Sequence, residues 1–172
     1  MLNLNDLYFD TVEAKIALAH QLHRQYGPGL AVDPQVVARL TDLTRLGAAL
    51  AARMVAMDLG RLCGGCAARP DGGCCSAFMA NETDAVLLLI NLLQGHPVAR
   101  QRDDDGECCF LGPTGCTLSP KPFFCLNYNC RAILAMVPDL VAPLVLAAGA
   151  VLRCQTELER HLLRAIGYRG AT

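Results

Sequence analysis

At 172 residues the chain is sized for a single domain, 1–172, long enough to enclose a real core. Hydrophobic residues make up 53%, aromatics only 5% with no Trp, a mixture rich in Ala and Leu that favours helix over strand. The formal net charge of −1 leaves no broad electrostatic footprint for nucleic acid or an anionic membrane.

The N-terminal stretch MLNLNDLYFDTVEAK carries Asp6, Asp10 and Glu13 where a secretion signal needs a basic start and an unbroken apolar run. A cytoplasmic chain is the expectation. Leu4, Tyr8, Val12, Ile16, Ala19, Leu22 and Tyr26 recur at helical spacing, predicting a helix over 4–26 that Gly27-Pro28-Gly29 stops. Asp33-Pro34 reads as an N-cap followed by proline at the first helical position. From there the stripe Val36, Leu40, Leu43, Gly47, Leu50, Met54 and Met57 predicts a second helix reaching Gly60, paired antiparallel with the first.

A cysteine-rich segment without periodicity follows, within a loop spanning 61–80. Asn81-Glu82-Thr83-Asp84 then reads as a cap with acidic residues where they complement the helix dipole. The run AVLLLINLL behind it is apolar on nearly every side and predicts a central helix, roughly 13 residues and about 20 Å long at helical rise. Gly95-His96-Pro97 ends it. Residues 98–130 form a second cysteine-rich loop or short hairpin with turn signals at Asp105-Gly106, Gly112-Pro113 and Thr114-Gly115. A short helix at 131–136 and a long one from 139 or 143 to 166 close the chain. Ala132–Leu152 is the most membrane-like stretch. Because it contains Pro138, Asp139 and Pro143, it reads as a core helix too short to span a bilayer. The expected fold is all-α, a bundle of four to five helices carrying two cysteine-rich metal-binding loops. The loops leave opposite ends of the central helix, so the second must fold back if the two are to share metals.

Ten cysteines in a reducing compartment point to metal before disulfide. Thiolate is the metal-binding form of cysteine, and a soft ion stabilises several thiolates at one point. Cys63-Gly-Gly-Cys66 has the gap that lets both sulfurs of a tight turn reach one ion. Cys74 and Cys75 are adjacent, so their side chains tend to diverge and suit two different ions, or one ion and one neighbour, better than a single site. Cys108 and Cys116 lie across a turn-rich span, and Cys125 and Cys130 lie five apart. These eight suit two four-thiolate sites, or one site with spare thiols, holding zinc or an iron–sulfur cluster in one or two centres. Arg61, Arg69, Arg100, Arg102, Lys121 and Arg131 are positioned to offset the charge, Lys121 best of all because it lies between cysteines.

The pieces Cys63-x-x-Cys66, Cys74-Cys75, GECCFL at 106–111, Gly115-Cys116 and KPFFC at 121–125 together resemble the YkgJ or CxxCxxCC family of zinc- or iron-chelating domains. The resemblance covers 63–125 and carries over seven positions: Cys63, Cys66, Cys74, Cys75, Cys108, Cys116 and Cys125. Cys130 joins them by proximity alone. Seven residues separate Cys66 from Cys74 where the family has about three, and Lys121 stands where the family has Arg. The resemblance implies metal binding and leaves the metal's task open.

Cys154 reads as a buried small apolar residue and Cys109 as a spare thiol or alternative ligand. His20, His23, His96 and His161 read as polar-face or turn residues, and Asp103–Asp105 as a solvated turn. The chain contains no GxGxxG, P-loop, HExxH or GxSxG, so no catalytic residue is assigned. Two rivals stand beside a cytoplasmic metalloprotein whose partner is another protein. One is a thiol–disulfide redox protein using Cys63 and Cys66; the other is a zinc-stabilised protein-interaction module.

Overall fold

The computed structural model describes residues 2–62, 73–102, 106–112, 115–127, 130–136 and 138–168. It is mostly helical, 70% helix against 4% strand, and all-α in class. A single π-type turn, Asn5–Phe9, precedes α1 (Val12–Leu30) and α2 (Pro34–Ala56). The short α3 (Ala77–Asn81) leads into α4 (Ala85–Leu93). A two-stranded antiparallel ribbon, β1 (Leu111–Gly112) and β2 (Gly115–Cys116), pairs Leu111 with Cys116 and Gly112 with Gly115. The chain closes with α5 (Phe123–Asn127), α6 (Arg131–Met136) and α7 (Pro138–Ala165).

Local capping sets the helix starts. Asp33 accepts from the backbone N–H groups of Gln35 and Val36 at 2.8 and 3.2 Å, and Asp84 accepts from that of Leu87 at 2.7 Å. Thr11 caps α1 at Ala14 while Asp10 is extended, which splits the expected 4–26 helix in two and leaves Leu4 exposed. At its other end α1 continues through Gly27-Pro28-Gly29 to Leu30. Two facts account for this continuation: Leu30 is buried in the core, and the Ala31 N–H bonds Gly27 O at 2.8 Å. The α2 stripe is seated as expected, with Val36, Leu43, Leu50 and Met57 buried. The helix itself ends at Ala56, and Asp58 adopts a positive φ of 52° in the turn that follows.

The expected pairing of the first two helices is not what forms. α1 packs chiefly along α4, and α2 along α7. The latter two run in opposite directions, because Asp33 meets His161 at 3.3 Å while Arg39 pairs with Glu157 and its carbonyl lies 3.6 Å from Cys154 Sγ. Loop length allowed an α1–α2 hairpin, but α4 offers apolar surface on every side and takes the apolar face of α1. Ala85 to Asn91 are all buried. α4 spans nine residues rather than thirteen.

Two apolar clusters result. The larger joins α2, α4 and α7 through Val36, Leu43, Leu89, Ile90, Leu158 and Leu162. The smaller unites Val12 and Ala19 of α1 with Leu88 of α4 and with Val98, Cys109, Phe110 and Leu118 of the second loop. Leu88 and Leu92 of α4 face the second cluster while Leu89 and Ile90 face the first, so this one helix carries both. Pro143 lies inside α7 rather than starting it, since the helix begins at Pro138. Asp139–Ala165 therefore has the length and mean hydropathy, 1.3, of a bilayer span. One face of that helix, Leu144, Ala148, Val151, Leu158 and Leu162, is buried in the core against α2.

Candidate metal centre

Cys63 and Cys66 lie outside the described residues, as do Arg69 and Asp103–Asp105. The other six cysteines of the expected ligand set fall among three segments: the start of α3, the β1–β2 ribbon, and α5 with the residues after it. The second loop does fold back onto the first. The Cys108 N–H bonds Cys75 O at 3.0 Å, the Ala77 N–H bonds Gly106 O at 3.2 Å, and Ser76 and Glu107 form an isolated antiparallel bridge. Backbone hydrogen bonds thus join the two loops side by side.

Two buried carboxamides pin the second loop from beneath. Asn91 of α4, wholly buried, donates from Nδ2 to the carbonyls of Leu87 and Pro120, each at 3.0 Å, and accepts from the Ser119 N–H at 2.9 Å. Gln155 of α7 donates to the Lys121 carbonyl at 3.0 Å. A buried amide needs partners for its N–H donors, and here Asn91 and Gln155 each direct a donor to loop backbone, at Pro120 and Lys121. The 118–121 segment is thereby anchored between α4 and α7 immediately before Cys125. An Asn inside AVLLLINLL interrupts the apolar run. Nothing in the sequence names its partners twenty-eight and twenty-nine positions away.

The thiols sense one another. The Cys75 thiol hydrogen-bonds Cys74, which pulls Cys74 down to about 6 and pushes Cys75 far up. The fields of Cys108 and Cys125 push Cys75 the same way. Burial, followed by the fields of Cys116, Cys108 and Cys74, raises Cys125 to about 12, against the opposing charge of Lys121. Burial likewise raises Cys108, and the field of Cys116 adds to it. Cys74, Cys75, Cys108, Cys116 and Cys125 therefore form one electrostatically connected group, in which the fields of the others act on Cys75, Cys108 and Cys125. Among the described residues no three Cys, His, Asp or Glu side chains form a group able to hold a metal ion. The described cysteines are free thiols.

The remaining residues sort clearly. Cys130 packs against the main core cluster, whereas Cys108 and Cys116 border the smaller one. Cys109 is a core residue, 3% exposed, and burial pushes its thiol up to about 11. Cys154 is buried in α7, as its sequence position suggests. His20 binds the Val98 carbonyl at 2.8 Å and His161 contacts Asp33; the ring of His23 lies against Gly27. Of the cations, Arg61 pairs with Asp58, Arg100 with Glu13, and Arg102 with Glu107 and the Leu111 carbonyl. The charge of Lys121 acts on a thiol of the connected group, Cys125.

Compared with known protein families, curated proteins and solved structures, the chain matches none.

Proposed function

We propose that this is a cytoplasmic metal-binding protein in which thiolates from two loops chelate zinc or an iron–sulfur cluster, using Cys63, Cys66, Cys74, Cys75, Cys108, Cys116, Cys125 and Cys130. The observation that carries the reading is the backbone bond from Cys108 N–H to Cys75 O, which ties the two cysteine loops together. Around that tie, burial and the fields of neighbouring cysteines oppose the ionisation of Cys75, Cys108 and Cys125, an opposition that a bound cation relieves because it favours the thiolate. The order of cysteine motifs, with its resemblance to the YkgJ family, points the same way. The metal's role is to cross-link two loops on a helical bundle of four to five helices. The surface so organised serves to bind another protein.

The test is elemental analysis with a visible absorption spectrum of oxygen-free protein. Stoichiometric zinc with an empty visible spectrum, or iron with a broad charge-transfer band, supports the proposal. In that protein Cys108→Ser and Cys125→Ser each lose metal, and Cys154→Ala retains it. Folded, fully reduced protein without stoichiometric metal refutes the proposal.

A further inference from the structure

Gln94 Nε2 donates to Thr44 Oγ1 at 2.8 Å, which sets the C-terminal end of α4 against Thr44 of α2. Past that contact α2 runs on to Ala56, about 18 Å at helical rise, alongside the N-terminal half of α7. The two antiparallel helices thus reach beyond α4 as an arm, with α6 beside α7. The sequence leaves the arm almost without charge: α2 has none between Arg45 and Arg53, and α7 none between Asp139 and Arg153. Leu50, Leu144 and Ala148 turn inward and join the core. The outward residues have no such cover. Val55 and Leu146 are 78% and 74% exposed, and Leu140 and Val145 are 45% and 42% exposed. An apolar 18-residue stretch of α7 is only 22% buried, whereas a core helix of this hydropathy is mostly buried. Large exposed apolar patches mark surfaces that meet another molecule.

Both helices carry the same pattern outward. Ala48, Ala52 and Val55 follow one another at helical spacing on α2, and Ala142 and Leu146 do so on α7, all five exposed. Small side chains leave hollows between turns, and Val55 and Leu146 stand beside them as knobs of the size that fills such hollows when helices pack. The apolar surface exposed along the arm is on the order of 600 Å² per chain. Covering it with an equal surface would remove about 1,200 Å² from water, the lower end of a stable interface. The end of the arm carries Arg53 and Asp139, both exposed and neither in an ion pair among the described residues. A second copy supplies each with its opposite charge, whereas an anionic bilayer would repel Asp139. From the uncovered apolar arm, its area and its mixed charge, we infer that the chain forms a two-fold homodimer. The α2–α7 arms of two copies pack against each other in a four-helix arrangement. The arm carries none of the proposed metal ligands, so the dimer does not rest on metal binding.

Sedimentation equilibrium of the full chain, purified as for the elemental analysis, tests this. A mass that rises with concentration from 18.4 kDa toward twice that value supports the inference. Leu146→Glu and Ala52→Glu each bring like charges together across a two-fold interface, and each should weaken the dimer by about tenfold or more. Both sites are exposed, so a cooperative urea transition of the dilute variants shows that the fold is kept. Val32→Glu changes a similarly exposed valine in the α1–α2 turn, outside the arm, and should leave the dimer intact. A mass of 18.4 kDa at every concentration up to about 100 μM overturns the inference. So do dimers that form equally well in both arm variants, or that are lost to the same extent in Val32→Glu. Monomers that instead sediment with phosphatidylglycerol vesicles, and cease to do so in Leu146→Glu, would assign the arm to a membrane surface and overturn it as well.

Discussion

Replacing Asp84 by Asn probes the charge at the head of α4. Burial, with the field of Glu159, raises its carboxyl from 3.8 to about 6, in spite of the backbone N–H groups of Leu87 and Val86 and the charge of Lys15. An acid whose folded value exceeds its unfolded value holds its proton more tightly when folded. Its stabilising share is thus complete below 3.8 and is lost as the pH rises through about 6. At 1.36 kcal/mol per pH unit the displacement sets an upper limit of about 3 kcal/mol. Because the side chain is not wholly buried, screening brings the expectation to about 1–2 kcal/mol. Asn ranks with Asp as an N-cap and still accepts from the Leu87 N–H, so the helix start is retained. Urea unfolding of both chains at pH 8 and pH 4 reads the difference. The variant is expected to be more stable at pH 8 by that amount, with the two chains coming within about 0.5 kcal/mol at pH 4. A variant less stable at pH 8, or a gain equal at both pH values, refutes the reasoning. The first would mean that Asp84 chiefly serves Lys15, the second that the gain owes nothing to ionisation.

Two further substitutions test the scaffold of the metal loops. Asn91→Ala leaves the Ser119 N–H and the Pro120 carbonyl without their partner; thermal or urea unfolding should register a loss of about 2–4 kcal/mol, and metal should dissociate faster in a chelator challenge. Unchanged dissociation would show that the 118–121 segment does not position the thiols. Leu158→Ala empties a wholly buried site between α7 and its neighbours and should cost about 2–5 kcal/mol by urea unfolding, whereas a loss below about 1 kcal/mol would contradict the packing described.

Much of the local structure was legible residue by residue. The cap at Asp33 acts as its type and position suggest, because a side-chain oxygen two or three residues ahead of an orphan N–H is a local arrangement; at the head of α4 the cap is Asp84 itself, so the acidic residues expected in the first turn do not lie there and Asn81 ends the helix before. The burial of AVLLLINLL follows from its being apolar all round. The short ribbon at Leu111–Cys116 sits where the Gly-Pro and Thr-Gly signals put a turn. Less legible were the limits of α1. Thr11 caps a helix that the apolar stripe carries straight through, and Gly27-Pro28-Gly29 fails to stop one whose end is held by the burial of Leu30.

Composition and spacing determined, without coordinates, an all-helical chain with its cysteines gathered into two segments, since helix propensity, capping and turn chemistry act over a few residues at a time. Which helices embrace was decided only by packing: α1 against α4, α2 against α7. The same holds for the tie between Cys75 and Cys108, for the grip of Asn91 and Gln155 on the second loop, and for the apolar arm that α2 and α7 form beyond α4. These features bring together residues up to 128 positions apart, and their partners are selected by the mutual fit of apolar faces and by the need of buried polar groups for a bond, neither of which is written in any short stretch of chain.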